Sequence, residues 1–191
     1  PLSIFFVVKG GYFLTFFLIF ILFAGMHELF SEFKKIKSIL FLSLILILSL
    51  LSIHYLSEKA DLLLYFAIAV TISSDIGGYV FGKIFKWKKL TKISPKKTIS
   101  GVFGSYFFSI ICLFIWNEFY SPGSQVNVKA FLITIIFSTV AQVGDLIISY
   151  FKRLEKIKDT GKILPGHGGI FDRIDGLMFV VILASFIYYL E

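Results

Sequence analysis

The sequence predicts an all-α polytopic membrane protein of about six transmembrane helices with cytoplasmic basic loops. Three observations predict it. Apolar residues make up 57% of the 191 and the mean hydropathy is +0.88, whereas soluble domains are roughly half apolar or less. Apolar runs of about 20 residues recur along the chain, the length a helix needs to cross a bilayer. Lysine and arginine crowd into alternate loops, which is the pattern of positive-inside topology.

The spans fall at approximately 4–25, 38–56, 62–82, 99–117, 129–151 and 176–190. The first two form an N-terminal transmembrane hairpin over 1–60, and 61–191 forms a transmembrane region carrying the candidate site. The loop over 31–37 holds Lys34, Lys35 and Lys37. The loop over 83–98 holds Lys83, Lys86, Lys88, Lys89, Lys92, Lys96 and Lys97, and that over 152–175 holds Lys152, Arg153, Lys156, Lys158, Lys162 and Arg173. These are 16 of the 19 basic residues. The rule places the three loops in the cytoplasm and both ends of the sequence outside. The net charge of +7 is then accounted for by topology and anionic headgroups, with no nucleic-acid partner. The sequence opens on Pro1, as a piece of a longer chain does, and the early segment lacks the basic region and cleavage site of a signal peptide. The one cysteine, Cys112, lies in an apolar run and reads as a small hydrophobe.

Two carboxylates interrupt the apolar spans: Asp75 in Thr71-Ile-Ser-Ser-Asp-Ile-Gly-Gly-Tyr79, and Asp145 in Ala141-Gln-Val-Gly-Asp145. A charge at the bilayer centre costs at least ~2.5–3.5 kcal/mol on insertion scales, so such groups serve function or pair internally. Each precedes its basic loop by seven or eight residues, which places both about 10 Å below the cytoplasmic helix ends. Helix-packing bonds to Ser73, Ser74, Gln142 or a lysine are the plain alternative. Asp172 and Asp175 are spaced i, i+3 ahead of the last span and share a face if that stretch is helical, although acidic residues also favour helix N-termini for their dipole. Asp145, Asp172 and Asp175, supported by Asp75, offer the all-oxygen donors of a Mg²⁺ site, single or paired. No partners at ligand spacing make a zinc site with His167.

Lys92-Ile-Ser-Pro-Lys-Lys-Thr98 leads into the fourth span. Ser94 is the expected N-cap and Pro95 an early helical residue. Backbone N–H groups there, with Lys96 and Lys97, would form an anion site, whereas Lys86, Lys88 and Lys89 read as topology-setting charges. No Gly-x4-Gly-Lys-Ser/Thr loop is present.

The densest polar stretch is Ser149 to Asp175. It reads Ser-Tyr-Phe-Lys-Arg, four residues, Lys-Asp-x-Gly, two residues, Leu-Pro-Gly-His-Gly-Gly, two residues, Asp-Arg-Ile-Asp. Cations for phosphate, carboxylates for a metal and glycines for close backbone approach stand together between two apolar spans. This stretch resembles the signature of the phosphatidate cytidylyltransferases, or CDP-diacylglycerol synthases. Ser94-Pro-Lys-Lys-Thr98 and Asp75-x-x-Gly-Tyr79-x-x-Gly82 resemble further segments of that family in the same order, and the likeness covers roughly 70–190. One departure is Ser100, where relatives often carry Glu.

The resemblance implies a membrane nucleotidyltransferase of phospholipid biosynthesis that makes CDP-diacylglycerol and pyrophosphate from CTP and phosphatidic acid with Mg²⁺. It implies catalytic roles for Asp145, Asp172, Asp175, Lys152 and Arg153, with Asp75 among the metal ligands. Ser94, Lys96, Lys97, Thr98, His167 and Arg173 are the implied substrate contacts. A homodimer, a bacterial inner membrane and a cytoplasmic active site are the accompanying expectations. The rivals are a CTP-dependent polyprenol or phytol kinase and, more remotely, an ion transporter using Asp75 and Asp145. The transporter needs polar groups along a through-path, and the outer halves of the spans are nearly free of them.

Overall fold

The structure is a computed structural model that describes residues 2–91, 93–161 and 168–190. It consists of α1 (Leu2–Lys9), α2 (Gly11–Glu32), α3 (Ile36–Lys59), α4 (Asp61–Phe85), α5 (Ile99–Tyr120), α6 (Val128–Leu154) and α7 (Phe171–Leu190), with no strand among the described residues. Six of them, α2 to α7, are long and apolar enough to cross a membrane, and the chain is an integral membrane protein.

Two boundaries differ from the sequence reading. The first span is displaced from 4–25 to Gly11–Glu32, because Gly10 and Gly11 take left-handed φ of 62° and 53° and break the apolar run after α1. Hydropathy runs on through that break and does not reveal it. The last span starts at Phe171 rather than 176, so Asp172 and Asp175 belong to its first turns.

α7 packs against α3, α4 and α6, while α4 packs most closely on α5. Leu14, Leu29, Leu42, Leu46, Phe171 and Met178 form one apolar core; Leu56, Leu64, Val70, Leu113, Phe137 and Val181 belong to a second. The α4–α5 contact depends on glycine. A Cβ on Gly77 would collide with the Gly104 carbonyl and one on Gly104 with the Gly77 carbonyl. Helices in lipid gain little from apolar contact with each other and rely on such close approach and on hydroxyl bonds. Here Ser105 Oγ donates to Ser74 O at 2.8 Å and the Ser74 and Ser138 hydroxyls meet at 3.0 Å.

The basic loops meet at one end of the bundle. Glu155, just past α6, accepts from Lys34 N (3.1 Å), Lys35 N (3.2 Å) and Ser38 Oγ (2.8 Å), so it caps the start of α3 from outside that helix. Desolvation raises the Glu155 carboxyl, but these hydrogen bonds and Lys35 outweigh it and hold it below its ordinary value. A lowered carboxyl contributes stability above its unfolded pKa and loses it as pH falls through the folded one. Glu155→Gln is therefore expected to lower the unfolding temperature by a few degrees at pH 7, with a smaller difference at pH 3. An equal difference at both pH values would exclude this ionised clamp.

Candidate active site

Between α4, α5, α6 and α7, at the end where the basic loops converge, lies a cavity of about 380 Å³. That is within the ~300–1,000 Å³ of small-molecule sites. Its walls are Ser74, Asp75, Gly78 and Tyr79 from α4, Leu90 and Ser94 to Thr98 (Pro95 apart) from the α4–α5 loop, and Gly101, Val102 and Ser105 from α5. Gln142 and Asp145 from α6 and Asp172 and Asp175 from α7 complete it.

Small residues set the α6–α7 approach. A Cβ on Gly176 would lie 2.9 Å from Ala141 O, and one on Gly144 would lie 3.2 Å from Asp175 O. This proximity lays Asp175 against Asp145. Asp145 is also held by Lys97, whose Nζ lies 2.6 Å from Oδ2 and donates to Gln142 O at 3.1 Å, and Ser149 Oγ donates to its Oδ1 at 3.3 Å. Asp75 faces the same cavity from α4 and interacts with both Asp145 and Lys97.

Asp172 has a different setting from Asp175 despite the shared helix. Its Oδ1 receives Lys152 Nζ at 2.6 Å, and Lys152 is only 8% exposed. Its Oδ2 accepts from Thr160 N (2.8 Å), Thr160 Oγ1 (3.1 Å) and Gly169 N (3.1 Å). Asp172 thereby ties the α6–α7 loop to the start of α7.

The lysine loop is shaped by an antiparallel pairing of Lys89 with Thr98, in which Leu90 N donates to Lys97 O and Ile99 N to Lys88 O. The expected N-cap moves: Thr98, not Ser94, caps α5, its side chain accepting from Gly101 N at 3.1 Å. Ser94 and Pro95 lie instead in a turn closed by Lys97 N donating to Ser94 O, so Pro95 is outside the helix. Ser100 is buried and bonds the Thr98 hydroxyl at 3.0 Å.

The structure thus brings Asp75, Asp145, Asp172, Asp175, Ser94, Lys96, Lys97 and Thr98 to one cavity. Lys152 lies behind it on Asp172. Arg153 is directed at the loops, its Nε donating to Ile93 O and Nη1 to Ile157 O. Arg173 is exposed and is not among the cavity walls. His167 lies outside the described residues. Sequence reasoning missed Glu28, which is 1% exposed and accepts from Ile170 N at 2.6 Å and Phe171 N at 3.3 Å. A carboxylate near the end of an apolar helix was the available signal, and ending the first span at residue 25 put it out of sight.

The donor set suits a hard divalent cation, since every carboxylate in the cavity offers oxygen. Among the described residues no three acidic, histidine or cysteine side chains converge on one point. Mg²⁺ is usually held by one or two carboxylates, with waters and substrate phosphates completing its shell. The adjacent Asp145 and Asp175, with Asp75 near, fit that requirement.

Residues 1–190 match the model of the cytidylyltransferase family. A phosphatidate cytidylyltransferase of Staphylococcus aureus (strain COL) is 44% identical over 131 residues, 68% of this chain and 49% of that protein. Those of Staphylococcus epidermidis (strain RP62A) and Staphylococcus haemolyticus (strain JCSC1435) are 42% identical over 121 residues and 40% over 135. The alignments cover 63% and 69% of this chain and 46% and 52% of the two relatives. The chain spans about half the length of the curated relatives it matches. With its carboxylates and lysines gathered at one end of a six-span bundle, the chain belongs to the cytidylyltransferase family.

Proposed function

We propose that this chain carries the site at which CTP and phosphatidic acid become CDP-diacylglycerol and pyrophosphate. The observation that carries the reading is that Asp75, Asp145, Asp172 and Asp175 line one cavity together with Lys96 and Lys97. The relatives' names supply the substrate class. The convergence of the basic loops supports a site on the cytoplasmic side of a bacterial inner membrane.

A non-bridging oxygen of the lipid phosphate attacks the α-phosphorus of CTP. The new P–O bond forms as the bond between the α- and β-phosphates breaks, and its electron pair leaves with pyrophosphate. The attacking oxygen is already ionised at neutral pH, so no covalent enzyme intermediate is needed. Both reactants are anions, and the site must offset their repulsion and align them. Lys96 and Lys97 meet the triphosphate, with the Ser94 hydroxyl beside them in the turn and the Thr98 hydroxyl at the start of α5. Lys97 is poised between Asp145 and the incoming phosphate. Lys152 holds Asp172, and Arg153 fixes the loop end of α6 against Ile93. Arg173 and His167 are further phosphate contacts in this proposal. Asp145 and Asp175 with Asp75 would hold Mg²⁺, Asp172 would join them as a ligand on release of Lys152, and a bound divalent ion supplies charge neutralisation to the phosphate oxygens.

The test uses the protein in phosphatidate micelles with Mg²⁺ and CTP labelled at either the α- or the γ-phosphate. Label from the α position entering the lipid, with release of pyrophosphate, is the expected result. Label entering lipid from the γ position alone would make the chain a lipid kinase and overturn the reading.

A further inference from the structure

We infer that Glu28, on a helix remote in sequence from the signature, is a positioning residue for the carboxylates of this site, an inference that rests on the function proposed above. Glu28 lies in α2, is 1% exposed and occurs in a helix that crosses the membrane. A buried carboxylate is costly unless donors surround it. Among the described residues the donors belong to the start of α7 and the loop before it: Ile170 N at 2.6 Å, Phe171 N at 3.3 Å and the Thr160 hydroxyl. The first N–H groups of a helix have no partner inside it. Glu28 therefore acts as the N-terminal cap of α7, supplied across the bundle.

The fit is close on every side. A Cβ on Gly161 would lie 2.9 Å from Glu28 Cγ, and one on Gly169 would collide with Glu28 Oε1 and Thr160 Oγ1. From this clamp two paths lead to the cavity. The Thr160 hydroxyl is within bonding reach of Glu28 and of Asp172. It has one proton and serves one carboxylate at a time, while its backbone N–H serves Asp172. The second path is α7 itself: Phe171 is its first residue, Asp172 its second and Asp175 its fifth. Fixing the helix start fixes the rotation that lays Asp175 against Asp145. A displacement of about 1 Å at reacting groups can cost on the order of 10²-fold in rate.

The test compares the parent with Glu28→Gln and Thr160→Val. Mn²⁺ alone is titrated in detergent by electron paramagnetic resonance, and steady-state transfer is measured separately. Glutamine keeps the size of Glu28 but, because Ile170 N and Phe171 N meet different carboxylate oxygens, it must set its amide N–H₂ against one of these two N–H groups. We expect Glu28→Gln to weaken Mn²⁺ binding and lower kcat, each by about 10–100-fold, the range for residues that orient metal ligands. Thr160→Val should shift both in the same direction by less, and Glu28→Asp should restore part of the loss. Glu155→Gln loosens the start of α3 by the same kind of contact and should leave Mn²⁺ affinity unchanged. If Glu28→Gln fails to fold, Thr160→Val decides alone. Unchanged Mn²⁺ affinity and kcat in the folded variants, beside a parent that binds Mn²⁺, overturn the inference. A parent that binds no Mn²⁺ overturns the metal reading, and this inference with it. A parent that binds Mn²⁺ without transferring label overturns the proposed activity alone.

Discussion

Asp145→Asn is expected to lower kcat/KM for cytidylyl transfer by about 10³-fold, equivalent to about 4 kcal/mol of transition-state stabilisation. The substitution is isosteric, so the loss comes from charge. Asp145 lies 2.6 Å from Lys97 and against Asp175, and so joins the lysine loop to α7 in the cavity. Asn cannot hold the Lys97 ammonium by charge, and it removes half of the carboxylate pair proposed for the cation. The unfolding temperature should move by only a few degrees, because the lost ion pair is offset by relief of repulsion between Asp145 and Asp175. Lys97→Ala should also lower transfer, by about 10²-fold, the size found when one preorganised charge-stabilising donor is removed. Activity of Asp145→Asn within threefold of the parent, in protein shown to be folded, would exclude Asp145 from the reacting centre.

The largest effect on stability is expected at the α4–α5 contact. Gly104→Ala places its methyl against Gly77 O and Phe81 Cβ, both nearer than a methyl group tolerates. Overpacking of this kind costs about 1–3 kcal/mol, and Gly104→Leu should prevent assembly, running as aggregate on size exclusion in detergent. Gly82→Ala is the internal comparison: its methyl meets Thr98 Oγ1 at 3.1 Å and has no backbone carbonyl to displace. It should lose less. Thermal unfolding checks the order, and a Gly104→Ala protein as stable as Gly82→Ala would contradict this close approach. The same contact positions the site, since Gly78 and Gly101 line the cavity beside it.

Much of this arrangement was legible in the sequence. Hydropathy located the spans because lipid forces every crossing segment to be a continuous apolar helix. Alternating charge grouped the loops at one end, where Glu155 and Arg153 indeed connect them. Intramembrane cost singled out Asp75 and Asp145, and both line the cavity. What escaped was decided by contacts between residues far apart in the chain. The break at Gly10 and Gly11 left no mark on hydropathy. The choice of Thr98 over Ser94 as cap followed from the pairing of Lys89 with Thr98, which sequence spacing does not disclose. Spacing put Asp172 and Asp175 on one face; it did not show that one would hold a loop through Lys152 and Thr160 while the other met Asp145.

The Glu28 clamp also constrains how the molecule is put together. Glu28 is separated from its acceptor-matched donor Ile170 by 142 residues, so when α2 first enters the bilayer the groups that will satisfy it have not been synthesised. The carboxylate must stay hydrated near the membrane surface, or carry a proton, until α7 arrives. Membrane helices insert singly and associate afterwards, and here the docking of α7 satisfies a carboxylate that α2 brought in without these donors. Docking of α7 and completion of the site are consequently one event: a nascent chain lacking α7 has neither Asp172 and Asp175 nor the helix start that Glu28 caps. A chain assembled this way carries a chargeable group short of its donors until α7 is in place, and that group distinguishes the forms before and after docking.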